Sequence, residues 1–167
     1  MSRLDSFIRR LEAQRTCLDF AARLVRCVEG DVLELGLGNG RTYDHLRQLF
    51  PDRKIYVCER RLAAHPDCVP PAEYLLFGDM RDTLRTVREL LGSQIALAHL
   101  DPGTGDLAES RALAVELTPL IVPLLRSGGV LVSEPALASD QLSPLEPPDN
   151  VAPERYNIYR RISRSRS

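Results

Sequence analysis

The chain predicts an α/β fold, an open and mostly parallel twisted sheet with helices on both faces. Three observations predict it. From residue 31 onward, short apolar runs suited to strands alternate with segments of helical periodicity. Residues 95–100, IALAHL, are almost wholly apolar, as a strand buried on both faces of a parallel sheet requires. The stretch DVLELGLGNGRTYDHL runs an apolar strand into a glycine cluster and then into a helix start. At 167 residues the chain is one domain with room for a substantial core.

The elements follow in order. Leu4, Phe7, Ile8, Leu11, Leu18, Ala21, Ala22, Val25 and Val28 recur at helical spacing up to Gly30. One straight helix over that span would run ~37 Å, and Thr16-Cys17-Leu18-Asp19 has the form of a capping box. The spacing therefore predicts two helices in residues 1–30, serving as a lid or an oligomer contact within the same domain. Strands follow at 32–35, 54–58, 73–77, 95–100 and 130–133. Helices are expected at 41–49, at 82–91 with Gly92 as its stop, and from Asp106 onward, with Thr118-Pro119 restarting the last. Ser127-Gly128-Gly129 reads as the turn into the fifth strand. Residues 135–153 read as a long loop, and RYNIYRRI (155–162) returns as a last, antiparallel edge strand. The sheet domain thus spans 31–162, with a mobile tail at 163–167.

Composition sets limits. The formal net charge is −1, which argues against a protein that coats nucleic acid. Cys17, Cys27, Cys58 and Cys68 form no C-x-x-C pair, and no His lies near enough for a zinc knuckle. A cytoplasmic compartment is expected, since the N-terminus has no apolar signal core. No span suits a membrane, because Glu116, Pro119 and Pro123 interrupt the most apolar long run.

Ligands of such sheets bind beyond the carboxyl ends of the strands, where strand order reverses. The dinucleotide pattern G-x-G-x-x-G would need a glycine at Arg41. The loop instead reads Glu34-x-Gly36-x-Gly38-x-Gly40. A carboxylate ahead of the loop suits a cationic ligand better than a diphosphate. A dinucleotide, a nucleoside without phosphates and no ligand all remain open on these residues alone.

The motif LELGLGNG, with FGDM, ALAHLDPGTGD and LLRSGGVLVSEP after it, resembles the class I S-adenosylmethionine-dependent methyltransferases over residues 31–135. The resemblance implies a Rossmann-like domain, S-adenosylmethionine as cofactor and S-adenosylhomocysteine as product. It implies that Gly36, Leu37, Gly38, Asn39 and Gly40 pass close to the cofactor, and that Glu34 holds its ammonium directly or through water. Glu59, with Arg60 beside it, would take the ribose hydroxyls. Asp79 would accept from the adenine amine, with Met80 on the ring, and Leu100 would line the reacting end.

Asp101 is the first candidate base and His99 the second; a turn-forming Asp and a satisfied core histidine are the structural readings of the same residues. Asp101 and Glu134 end neighbouring strands and could converge on a divalent cation, but no third ligand is evident and no metal is expected. Arg160, Arg161, Arg164 and Arg166 read as a solvated edge and tail rather than a nucleic-acid contact. This end departs from the family pattern, which carries another helix and two strands. The N-terminal helices are therefore the candidate lid, with Tyr43, Thr104 and Asp106 near the pocket mouth. The acceptor is expected to be a small molecule, and a partner subunit is a second candidate for the cover. A nicotinamide-dependent oxidoreductase and a non-catalytic adenosylmethionine binder are the alternatives.

Overall fold

The computed structural model describes residues 2–102, 106–152 and 155–163. It opens with one long helix, α1 (Arg3–Leu24). There follow β1 (Asp31–Leu35), α2 (Arg41–Leu49), β2 (Ile55–Glu59), β3 (Leu75–Phe77), α3 (Met80–Leu91), β4 (Ile95–Leu100), α4 (Leu107–Ile121), β5 (Leu125–Ser133), β6 (Leu142–Leu145) and β7 (Asn157–Arg161). They form a seven-stranded sheet of order β3-β2-β1-β4-β5-β7-β6. β1 to β5 pair in parallel, and β7 runs antiparallel to both β5 and β6. Strand order reverses between β1 and β4, so ligand chemistry is expected at their carboxyl ends.

Alternation along the strands builds two cores. Val32, Val57 and Val132 face α1 and α2, and pack with Cys17, Leu18, Ala21 and Leu46. Leu33, Cys58 and Leu131 face α3 and α4, and pack with Leu84, Val87, Leu117 and Ile121. A sheet covered on both faces follows from central strands that are apolar at most positions.

Four sequence expectations are corrected. The N-terminal segment is one helix, because the buried stripe Ala13-Cys17-Leu18-Ala21 continues through the expected break. Its capping box lies at Ser2 and Asp5 instead, and the Asp19 carboxylate is taken by His45 at 2.7 Å. Pro119 lies inside α4 rather than restarting a helix. The carbonyl it strands belongs to Val115, on an exposed face where water can satisfy it.

The glycine turn before the fifth strand is a bulge within β5. Ile95 pairs with Leu125 but Leu97 with Val130. A Cβ on Gly129 would stand 2.9 Å from the Arg126 carbonyl oxygen and 3.1 Å from that of Ala96. Finally, β7 is not the edge. The expected loop holds β6, whose Pro144 is tolerated because an edge strand has an unpaired side.

Candidate functional site

A cavity of about 600 Å³ lies at the carboxyl ends of β1, β2, β3 and β4, under α1. Eight of the expected cofactor residues line it: Gly36, Leu37, Gly38, Asn39, Glu59, Arg60, Asp79 and Met80. Asp101 lines it too. Glu34, Gly40, Leu100 and His99 are not among its lining residues.

The three glycines of the loop do three different jobs. Gly36, at φ +97°, would place a Cβ 2.6 Å from the Asp101 carbonyl oxygen, so it lets β1 and β4 end side by side. Gly40, at φ +85°, would place a Cβ 2.4 Å from that of Cys68, so it packs the start of α2 onto the loop after β2. Gly38, at φ +53°, meets nothing within 4 Å and opens on the cavity. Gly40 has no side chain with which to cap α2, and Asn39 Oδ1 accepts from the Arg41 N–H instead, at 3.2 Å.

Glu59 ends β2 and fastens the loop. Its Oε2 accepts from the backbone N–H of Leu37 at 2.7 Å and of Gly38 at 3.0 Å. Its Oε1 accepts from those of Arg60 at 2.7 Å and Arg61 at 2.8 Å. Partial burial works against the charged form, yet these four donors outweigh it and hold the carboxyl below its ordinary range. Asp79 caps α3 by accepting from the Arg81 N–H at 2.9 Å, which holds it low as well. Arg81 also pairs with both Asp79 and Glu116, joining α3 to α4 at the cavity wall.

The end of the cavity at β4, expected to be the reacting end, is built differently. Asp101 Oδ2 accepts from Gln14 Nε2 at 2.8 Å, Arg10 Nη1 at 3.1 Å and the Tyr156 hydroxyl at 3.2 Å. Its Oδ1 is buried with no partner. Glu134, at the end of β5, lies 3.7 Å from Arg10. Burial and then the neighbouring Asp101 charge push its carboxyl up. The two acids therefore do converge, but a guanidinium stands against both. Among the described residues no group of three or more His, Cys, Asp or Glu is placed to hold a metal ion.

Glu34 is buried and sits 2.8 Å from His99 Nδ1. β1 and β4 pair in register at these residues, which puts both side chains on one face. Their mutual pairing withdraws both from the cavity. Tyr43 is buried against α1 and stacks under Arg47, not at the pocket mouth. Asp106 caps α4 by accepting from Ala108 and Glu109. Thr104, Arg164 and Arg166 lie outside the described residues.

The sequence reading missed Arg10, Gln14 and Tyr156. The first two had a signal: Phe7, Arg10, Leu11 and Gln14 all line the cavity at spacings of three, four and seven, one face of a helix. Tyr156 had none.

The comparisons with known proteins agree with this geometry. The family model described as S-adenosyl-L-methionine methyltransferase matches residues 1–161. A crystal structure of an S-adenosyl-L-methionine methyl transferase from Silicibacter pomeroyi DSS-3 is 43% identical, covers 96% of this chain and 99% of its own, and superposes with a TM-score of 0.92. Human methyltransferase-like protein 13, solved in complex with S-adenosylhomocysteine, shares the fold at 12% identity and a TM-score of 0.54, over 93% of this chain and 84% of its own. No curated protein matches. A seven-stranded sheet with a glycine loop at its switch point, matched along almost its whole length, decides between the dinucleotide and adenosyl readings: the chain belongs to the S-adenosyl-L-methionine methyltransferase family.

Proposed function

We propose that this enzyme methylates a small molecule at a hydroxyl or amine, with Asp101 as the proton acceptor. One observation carries the reading. The same cavity holds the glycine loop, a strand-end acid from β2, another after β3, and a carboxylate after β4.

The residues fit an adenosyl cofactor. Gly38 has no neighbour where a side chain would stand, so a ligand can lie against its backbone. Glu59 and Asp79 are held ionised and fixed in place; Asp79 Oδ2 keeps a lone pair for an amine donor, and Glu59 would exchange N–H partners for ribose hydroxyls. Gly36, Leu37, Asn39 and Arg60 complete that wall, and Met80 offers an apolar surface beside Asp79. S-adenosylmethionine supplies an electrophilic methyl group when bound, and the protein supplies position and charge.

At the other end, α1 covers the site. Phe7 and Leu11 give an apolar wall, while Arg10 and Gln14 reach down to Asp101. Arg10 pairs with both Asp101 and Glu134. A cavity of about 600 Å³ that must also admit the cofactor leaves room for a small acceptor only. No helix among the described residues is long and apolar enough to cross a membrane. Four unbridged cysteines, two of them buried, support a cytoplasmic setting.

The test is formation of S-adenosylhomocysteine from S-adenosylmethionine across a panel of small alcohols, phenols, amines and thiols. Turnover with a hydroxyl or amine acceptor that is lost in Asp101→Asn supports the reading. Turnover that survives Asp101→Asn, or that occurs only with thiols, overturns it.

A further inference from the structure

Tyr156 stands immediately before β7 and is 1% exposed. The pairing of Asn157 with Ser133 brings it to the carboxyl end of β5, beside the end of β4. Its ring lies parallel to His99, with centroids 6.1 Å apart and planes within 12°. Its hydroxyl is 3.2 Å from Asp101 Oδ2 and 3.5 Å from His99 Nε2. With the 2.8 Å contact of His99 Nδ1 to Glu34, four side chains form one chain: Glu34, His99, Tyr156, Asp101.

The inventory of protons orders that chain. A carboxylate only accepts, so the single phenolic proton goes to Asp101. The phenolic oxygen then presents lone pairs to Nε2, which donates, and one proton is shared between Nδ1 and Glu34, whose carboxyl is pushed up by burial. Burial opposes a charge on the ring, but the carboxylate of Glu34, with Asp101 and Glu134 behind it, outweighs burial and keeps the proton on the ring above the usual pH.

We propose that Tyr156 is a positioning residue for methyl transfer: its hydroxyl, held from behind by His99, fixes the Asp101 carboxylate at the cavity wall. The proposal rests on the reading of Asp101 as base. In the step, the acceptor's lone pair forms the bond to the methyl carbon, and the carbon–sulfur bond breaks with its electrons left on sulfur. The acceptor's proton passes to the Asp101 carboxylate, and Tyr156 keeps its own. His99, buried and out of reach of the cavity, takes part only through the phenol.

The experiment is a pH titration of the His99 imidazole by ¹⁵N NMR on the full chain with S-adenosylhomocysteine, in wild type, Tyr156→Phe, Asp101→Asn and the double variant. The charged groups that face this chain are Arg10 from α1, Glu34 from β1, and Glu134 after β5 with Arg155 near it; all stay in every variant. Tyr156→Phe keeps the ring on His99 but removes the acceptor for Nε2–H, so the His99 midpoint falls by about one unit or more. The Asp101 charge acts through space equally in both backgrounds, whereas the part carried by the phenol does not. The effect of Asp101→Asn on His99 is therefore larger with Tyr156 present than with Phe.

An unchanged midpoint in Tyr156→Phe, or additive shifts, overturns the proposal whatever Asp101→Asn does to turnover. Non-additive shifts with normal turnover in Asp101→Asn leave the hydrogen-bonded chain standing but overturn its role in methyl transfer. Wild type gives a second reading should Tyr156→Phe fail to fold. There the His99 Hε2 proton is slow to exchange and shows a nuclear Overhauser effect to the Tyr156 ring; rapid exchange overturns the link.

Discussion

The two ends of the cavity hold their acids in different ways. At the cofactor end, Glu59 and Asp79 are held chiefly by backbone N–H groups, most of them one or two residues away. At the reacting end, among the described residues, Asp101 is held by side chains from residues 91, 87 and 55 positions distant. Backbone donors fix a carboxylate wherever the local turn forms. Side-chain donors fix it only when α1 and the β7 strand have docked. The cofactor end is thus a property of the sheet, and the reacting end a property of what the sheet is wrapped in.

Variants separate the two ends. Asp101→Asn should have the largest effect, a loss of ~10²–10⁴ in turnover with S-adenosylhomocysteine binding retained. Glu59→Gln comes next. An amide carbonyl can meet two of the four N–H donors and turns its own N–H₂ on the others, so affinity for S-adenosylhomocysteine falls at least ~10-fold.

Two glycine changes sharpen the contrast within the loop. Gly40→Ala meets Cys68 and costs about 2 kcal/mol, visible as a fall in Tm of roughly 4–8 °C. Gly38→Ala meets nothing, so its Tm falls by less, and its loss shows in cofactor affinity instead.

The smallest effect is on the pH dependence of stability. The Glu59 carboxyl is held below its ordinary 4.5, so its contribution is complete above that pH and disappears as pH falls through the folded value. Glu59→Gln should therefore flatten the fall of Tm below pH 4.5, seen in melts across the acid range. His99 has the opposite sign. It is raised above 6.5, so its contribution is present below that pH and is lost as pH rises through the folded value.

What could be read from the sequence follows the same division. The parallel sheet, the glycine loop, Glu59 and Asp79 were legible because each depends on residues close in the chain: a strand, its turn, and the acid that ends the next strand. The partner of Glu34 was not legible, because alternation gives the face of a side chain but not its neighbour. Only the strand order, with β1 beside β4 in register, shows that His99 has claimed it. α1 was divided in two because a capping-box pattern was weighed above the buried stripe that runs through it. β6 was hidden by Pro144, which excludes a central strand but not an edge. Tyr156 read as one more strand aromatic, since nothing local marks a phenol whose partner lies 55 residues away.

The central claim is that the two ends are separable, and calorimetric titration of S-adenosylhomocysteine into wild type, Glu59→Gln and Asp101→Asn tests it most directly. The account predicts that Asp101→Asn binds within about threefold of wild type while Glu59→Gln binds at least ~10-fold more weakly. Equal losses in both variants, or a loss in Asp101→Asn alone, would contradict it.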